Sequence, residues 1–274
     1  MCSSDLLLEE EIVRAAKADA VNERGPRRYG LCAAALCLVA LISVPGQANA
    51  GTKAMGIDVS RFQKQIDWTS VAGAGIRFAF VQASRGSGAD CTVKPAQCGA
   101  DQYFAANRAA AESFGIRVGA YHRAFATGAT EPEARADALA EADLFISQVG
   151  SLQSGELIPV LDAESPFTGM TATSLRTWIR VWVKRVAKRL GLKPMIYTNA
   201  SSWSATGNTT EFAKARYPLW IAQWGVSRPT VPANNWARHG YSVWQFTSSG
   251  SVPGISGHVD MDRLGKGLAK ITVR

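Results

Sequence analysis

An α/β barrel closed on itself is the fold this sequence predicts, and three observations predict it. From residue 55 onward, short apolar runs alternate with longer helix-prone stretches, an order that implies parallel strands. Eight such runs are present, enough to close a barrel, and nearly every one ends in polar or aromatic side chains. No Ser/Gly linker, low-complexity block or internal repeat divides residues 51–274, so one domain is expected there. An open doubly wound sheet is the alternative architecture.

The strand candidates, in order, are Met55–Val59, Phe78–Ala83, Arg117–Tyr121, Leu157–Leu161, Pro194–Thr198, Leu219–Ala222, Tyr241–Phe246 and Val259–Leu264. Between the earlier ones lie helix-prone Thr69–Gly75, Phe104–Phe114, Glu131–Val149 and Thr171–Leu190. In the last of these, Leu175, Trp178, Ile179, Trp182 and Val186 recur at spacings of three and four, while Arg180, Lys184, Lys188 and Arg189 fall off that face. Gly191 supplies a stop and Pro194 follows it. The helix tryptophans are read as core packing. The later strands lack convincing helices between them.

A barrel gathers its functional groups at the C-terminal strand ends. The run ends supply Asp58 and Ser60 ("GIDVS"), Gln82, Ser84 and Arg85 ("VQASRG"), Tyr121 and His122 ("GAYHR"), then Asp162 and Glu164 ("LDAE"). Tyr197 and Asn199 ("YTN"), Gln223 and Trp224 ("AQW"), Gln245 ("WQF") and Asp260 ("VDMD") complete the set. A buried polar group costs free energy unless it finds a partner, so a purely structural chain has little reason to repeat this pattern. It predicts a cleft lined with carboxylates, amides and aromatics.

Asp162 and Glu164 follow the apolar "IPVL" with one alanine between them. Residues i and i+2 of a strand share a face at roughly 6–7 Å, so both acids enter one space. Like charges held close raise the pKa of at least one partner. That division, one protonated acid beside one anion, is what cleavage of a glycosidic bond needs. An isolated D-x-E is more simply a solvated loop or a helix cap; Asp58 and Asp260 at other run ends favour the cleft. His122 is expected to hydrogen-bond substrate or orient a carboxylate. A metal held by Asp58, His122, Asp162 and Glu164 stays open as an alternative, although no HExxH-type spacing supports it. No GxSxG elbow or glycine-rich phosphate loop is present. Trp220, Trp224 and Trp244 offer either stacking faces for sugar rings or barrel packing.

The first 50 residues read differently. Arg24, Arg27 and Arg28 precede the apolar Leu31–Val44, and "QANA" closes the segment at Ala50, the three parts of a secretory signal with cleavage after Ala50. The apolar run is shorter than the ~20 residues of a spanning helix, so no stable membrane anchor is expected. The acidic cluster Glu9–Glu11 is foreign to a signal, and an initiation point near Val21 accounts for it. Residues 51–274 carry 25 basic and 16 acidic side chains, a net +9 that favours an anionic cell-wall surface in an exported protein. No basic run interleaved with aromatics marks a nucleic-acid footprint. Cys91 and Cys98, the two cysteines after position 50, read as a disulfide closing a small loop.

Taken together in order and spacing, "GIDVSRFQKQIDW" (56–68), "RFAFVQAS" (77–84), "GIRVGAYHRA" (115–124), "IPVLDAES" (158–165), "PMIYTN" (194–199), "LWIAQW" (219–224), "SVWQF" (242–246) and "VDMD" (259–262) resemble glycoside hydrolase family 25, the Chalaropsis-type lysozymes. The resemblance implies a TIM-like barrel of irregular (β/α)5(β)3 form and cleavage of the β-1,4 bond between N-acetylmuramic acid and N-acetylglucosamine in bacterial peptidoglycan; no cofactor and a monomer are also expected. It implies Glu164 as proton donor, Asp162 assisting the substrate's N-acetyl group, and Asp58 and Asp260 as further cleft carboxylates. Tyr121, Tyr197, Asn199, Trp220 and Gln245 fall where that family lines its sugar subsites; His122, Trp224, Ser84 and Arg85 join them as expected substrate contacts. Two departures stand out: Gln82-Ala83-Ser84-Arg85-Gly86 where many members read K-A-T-E-G, and "YHR" for the commoner "YHF". A non-catalytic wall-binding module on the same fold is the alternative function. A chitinase-like enzyme is disfavoured because Val160 and Leu157 stand where its strand signature needs further acids.

Overall fold

The computed structural model describes residues 54–87 and 98–274. The expected signal and the Cys91 half of the expected disulfide lie outside the described residues.

The strands are β1 (Met55–Val59), β2 (Ile76–Arg85), β3 (Gly99–Ala100), β4 (Arg117–Arg123), β5 (Val160–Asp162), β6 (Met195–Thr198), β7 (Leu219–Ala222), β8 (Val243–Gly250) and β9 (Val259–Leu264). The helices are α1 (Trp68–Gly73), α2 (Phe104–Ser113), α3 (Glu131–Val149), α4 (Ala172–Leu190), α5 (Ala200–Ser204) and α6 (Glu211–Lys214). Hydrogen bonding runs β1-β9-β8-β7-β6-β5-β4-β2-β3, and β1 also pairs with β2, so eight strands close a barrel and β3 extends β2 outside it. The barrel reading holds and the open sheet is excluded. Beyond β6 only the short α5, α6 and a turn at Pro232–Ala237 intervene, and that turn is wound left-handed with φ of 50–55° from Ala233 to Trp236.

One expectation needs correction: the last strand is not parallel. β9 runs antiparallel to both β8 and β1. A parallel return needs a crossover of a dozen or more residues, and the segment 251–258 is too short for one. The consequence is positional, because the start of β9, not its end, then lies beside the C-terminal ends of the other barrel strands.

Alternation along each strand separates two apolar cores. Ala79, Val81, Val118, Ala120, Leu161, Ile196 and Ile221 face outward into a layer shared with the helices. Phe78, Phe80, Tyr121, Val160, Met195, Tyr197, Trp220 and Val243 fill the interior. The side chains of Phe80 and Trp220 stack there at 4.4 Å. Helices α3 and α4 pack on each other over β2 and β4, and each begins with a capping box, Thr130 with Glu133 and Thr171 with Ser174. Trp178 and Trp182 of α4 are buried, as core packing requires. Gly191 ends α4 in the left-handed region (φ 79°), where glycine is free of the Cβ penalty.

Gly119 on β4 shows how tightly the interior is filled, since a Cβ there would sit 2.8 Å from both Leu157 and Phe80. Gly119→Ala is therefore expected to destabilise the protein by about 1–3 kcal/mol. Urea unfolding checks this; an unchanged midpoint means the interior can relax around a methyl group.

Candidate active site

At the C-terminal end of the parallel strands, a cavity of about 80 Å³ is lined by Asp58, Tyr121, Asp162, Glu164, Tyr197, Trp220, Gln245 and Asp260. Seven of these residues come one each from seven barrel strands, and the eighth, Glu164, lies two residues past the end of β5.

Asp58 and Asp260 are direct cross-strand neighbours in the antiparallel β1–β9 pair. Gln245 ties the site's far side together: its Nε2 donates to Asp58 Oδ2 (2.8 Å), while its Oε1 accepts from Tyr197 OH (3.0 Å) and Trp224 Nε1 (3.1 Å). Gln82 Nε2 donates to Tyr121 OH at 3.3 Å. Below them Asp262, fully buried, accepts from Trp220 Nε1 at 2.8 Å. Asp262 was missed in the sequence although the signal was present: "VDMD" places two acids on one face by the same period-two rule that pairs Asp162 with Glu164.

Arg123 was also missed as a site residue. Its Nε lies 3.5 Å from Asp162 Oδ2 and 3.3 Å from Glu164 Oε1, so one guanidinium spans both acids of the D-x-E. The same group donates to the backbone carbonyls of Ala124 (2.7 Å), Glu164 (2.9 Å) and Ser165 (3.0 Å). It clamps the chain where β5 ends and fixes how the two acids are presented.

Burial governs the electrostatics. Burial first, then the charges of Asp262 and Asp260, pushes Asp58 well above the usual aspartate value. Burial also pushes Asp162 well up, with Arg123 opposing and Glu164 adding to the rise. Asp262 is raised mainly by burial, and Asp260 to about 6 by burial and by the nearby Glu164, against the hydrogen bond to Asp58. Burial and the surrounding carboxylates push Tyr121 and Tyr197 well above the ordinary phenol, so both stay protonated donors.

Other expected contacts are placed elsewhere. His122 and Ser84 do not reach the cavity. They face the helix layer, where His122 Nδ1 meets Ser84 Oγ at 2.8 Å and Nε2 meets Glu141 Oε2 at 2.7 Å. The ring is fully buried against Phe145 and Trp182, and burial, aided by the Arg123 charge, lowers its pKa to about 3, so it is neutral at ordinary pH. With both ring nitrogens committed, the metal set of Asp58, His122, Asp162 and Glu164 is not assembled. His122 points outward by simple alternation from inward Tyr121 on β4, whereas Ser84 points outward because of a bulge between Gln82 and Ser84 on β2. Simple alternation from inward Gln82 would turn Ser84 inward; the bulge reverses the phase and turns Arg85 inward instead. Asn199 caps α5 by accepting from Ser202 N at 2.8 Å and does not line the cavity. Among the three late tryptophans, Trp220 forms cavity wall and Trp244 is buried, while Trp224 is 53% exposed beside Gln245.

Because a folded carboxyl with a raised pKa binds protons the unfolded chain releases, this cluster favours the folded state at low pH and loses that contribution as pH rises. For Asp260 the window runs from the ordinary value of 3.8 to about 6. Thermal unfolding is expected to show a higher melting temperature near pH 5 than near pH 7.5, with a shallower decline in Asp260→Asn. Equal slopes for the two proteins would remove Asp260 from the coupled cluster.

Comparison with known proteins agrees with this geometry. Residues 57–255 match the family described as Glycosyl hydrolases family 25. Lysozyme M1 of Streptomyces globisporus is 35% identical over 225 residues, covering 79% of this chain and 69% of its own. The N,O-diacetylmuramidase of Chalaropsis sp is 31% identical over 220 residues, covering 75% of this chain and 95% of its own. A bacterial lysozyme structure from Streptomyces coelicolor superposes with a TM-score of 0.68 at 35% identity, covering 81% of this chain and 96% of that one. A closed barrel with its carboxylates at one mouth, a family match across most of the domain and relatives of this identity lead to one conclusion: the chain belongs to glycosyl hydrolase family 25.

Proposed function

We propose that this protein is a secreted muramidase that cleaves the β-1,4 bond following N-acetylmuramic acid in bacterial peptidoglycan. The observation that carries the reading is the convergence of Asp58, Asp162, Glu164 and Asp260 on one cavity mouth. Family membership and similarity to enzymes named lysozyme and N,O-diacetylmuramidase support it.

In this reading Glu164 donates the proton to the departing glycosidic oxygen. Its side chain is 30% exposed against 9% for Asp162, so it is the acid of the pair that faces an incoming substrate. Asp162, deeper and held by Arg123, accepts from the substrate's 2-acetamido N–H. That contact steers the acetamido carbonyl oxygen onto the anomeric carbon and stabilises the oxazolinium that forms. Asp58 and Asp260 orient water and sugar hydroxyls across the cavity, with Gln245, itself bonded by Tyr197, holding Asp58. Trp224, exposed at the rim, offers the sugar-stacking face. A non-catalytic wall-binding module has little use for this set of buried carboxylates, whose desolvation is costly.

The signal-like segment ending at Ala50 supports export, and the net +9 of residues 51–274 supports attraction to an anionic wall. A Cys91–Cys98 disulfide belongs to the same proposal.

Digestion of purified peptidoglycan is expected to release new muramic acid reducing ends; glucosamine ends or no release overturn the reading. Glu164→Gln should lose at least about a hundredfold in turnover while still binding wall, and undiminished activity would assign the proton to another group. Arg123→Gln tests the charge balance. Arg123 opposes the rise in the Asp162 pKa, so without it Asp162 ionises only at higher pH. The acidic limb of kcat/KM should therefore move to higher pH, and an unmoved limb would show that Asp162 need not be ionised.

A further inference from the structure

The bulge that turns Ser84 outward leaves Arg85 on the inner side of β2, directly paired with Arg123 of β4. The two arginines share the ring of Phe125, with guanidinium carbons 4.9 Å and 5.6 Å from its centroid. They differ in what their N–H groups find. Arg123 is ion-paired with Asp162 and Glu164 and donates to three backbone carbonyls. Arg85 is only 6% exposed, and its buried Nε and Nη1 have no hydrogen-bond partner. Among the described residues no carboxylate lies within ion-pair distance of it.

Arg61 is a second nearby cation, better partnered than Arg85 but also carrying an idle donor. Its Nη2 donates to the Ala100 carbonyl at 3.2 Å and its Nε, 3.8 Å from Asp101, is buried without a hydrogen bond. Burial first, and then the charges of Arg61 and Arg123, depress the pKa of Arg85 against the pull of Tyr121 and Asp162. A buried cation with idle donors is expensive, and its natural remedy is an anion arriving from outside. A guanidinium presents paired N–H groups that match the two oxygens of a carboxylate. The ring of Phe62, 63% exposed, lies 5.5 Å from the Arg85 guanidinium carbon, on the solvent side of it.

We propose that Arg85, with Arg61 beside it, is a carboxylate-binding subsite that takes the acidic group carried on the 3-position side chain of a muramyl residue. The proposal rests on the muramidase reading for its choice of ligand. Two sources supply the same chemistry: the lactyl carboxylate of a stem-free muramyl unit, and an acidic residue of the peptide stem attached to it. A glucosaminyl residue has neither, so the subsite distinguishes the two sugars of the glycan, on the side of the cleft where β2 and β4 end next to Asp162 and Glu164.

The test is calorimetric binding of N-acetylmuramic acid, its methyl amide, N-acetylmuramoyl dipeptide and the fully amidated dipeptide to the intact protein. The wild type is expected to bind at least one acid about tenfold or more tightly than its amide, as a charged hydrogen-bond pair predicts. Which acid does so identifies the lactyl or the stem source. Arg85→Gln should abolish that acid-to-amide ratio, Arg85→Lys should restore part of it, and Arg61→Gln should reduce it if Arg85→Gln fails to fold. Equal binding of acids and amides, no binding of either acid at millimolar concentration, or equal losses for acid and amide in Arg85→Gln overturns the subsite. The last result would instead make Arg85 a support for Asp162, whose Oδ1 also lacks a partner. Peptidoglycan digestion by the wild type is scored separately. A protein that discriminates acid from amide yet cleaves no glycan keeps the subsite and loses the muramidase reading.

Discussion

The pairing of β9 with both β1 and β8 closes the barrel and, being antiparallel, delivers the beginning of β9 to the functional end. Everything else at the site depends on that closure. It sets Asp260 against Asp58 and sinks Asp262 beneath them on the indole of Trp220. With the barrel closed and its interior filled by Phe80, Trp220 and Tyr197, these carboxyl groups are held away from bulk water. Desolvation then raises their pKa values, and the site acquires protons to give and acceptors that are not drowned in solvent.

The cost of collecting so many acids is met unevenly around the cavity. On the β1, β8 and β9 side the balance is struck with neutral donors: Gln245 to Asp58, Trp220 to Asp262. On the β4–β5 side it is struck with charge, through the Arg123 guanidinium lying between Asp162 and Glu164. Among these acids Glu164 is the open one, its side chain 30% exposed, while Asp58, Asp162 and Asp262 are buried. The unpartnered donors of Arg85 lie on the charge-balanced side too, where Arg85 pairs with Arg123 across β2 and β4.

The outer layer has its own polar device. Ser84, His122 and Glu141 form a hydrogen-bonded chain with the order of a hydrolase triad, but all three are fully buried under α3 and α4. Sealed from substrate, the chain ties β2 and β4 to α3 and holds the loop after β4 through Phe125 N, which donates to Glu141. Fixing that loop steadies the Phe125 ring on which both Arg85 and Arg123 rest.

Local rules carried most of the fold. Period-two and period-3.6 patterns located all eight barrel strands and the four longer helices within a few residues, because the residues that set those patterns are neighbours in the chain. The same period placed Asp162 and Glu164 on one side, and the run ends named Asp58, Tyr121, Tyr197, Gln245 and Asp260, all of which line the cavity. What sequence could not decide is whatever depends on pairing between distant strands. The short 251–258 connection already excludes a parallel β9, but the pairing of β9 with β1, which sets Asp260 against Asp58, joins opposite ends of the barrel sequence. The inward turn of Arg85 in place of Ser84 follows from a bulge measured against β4. The choice of Trp224 over Trp220 and Trp244 as the exposed ring follows from where the barrel wall runs. Each is a relation between segments far apart in the chain, so only the closed barrel could settle it.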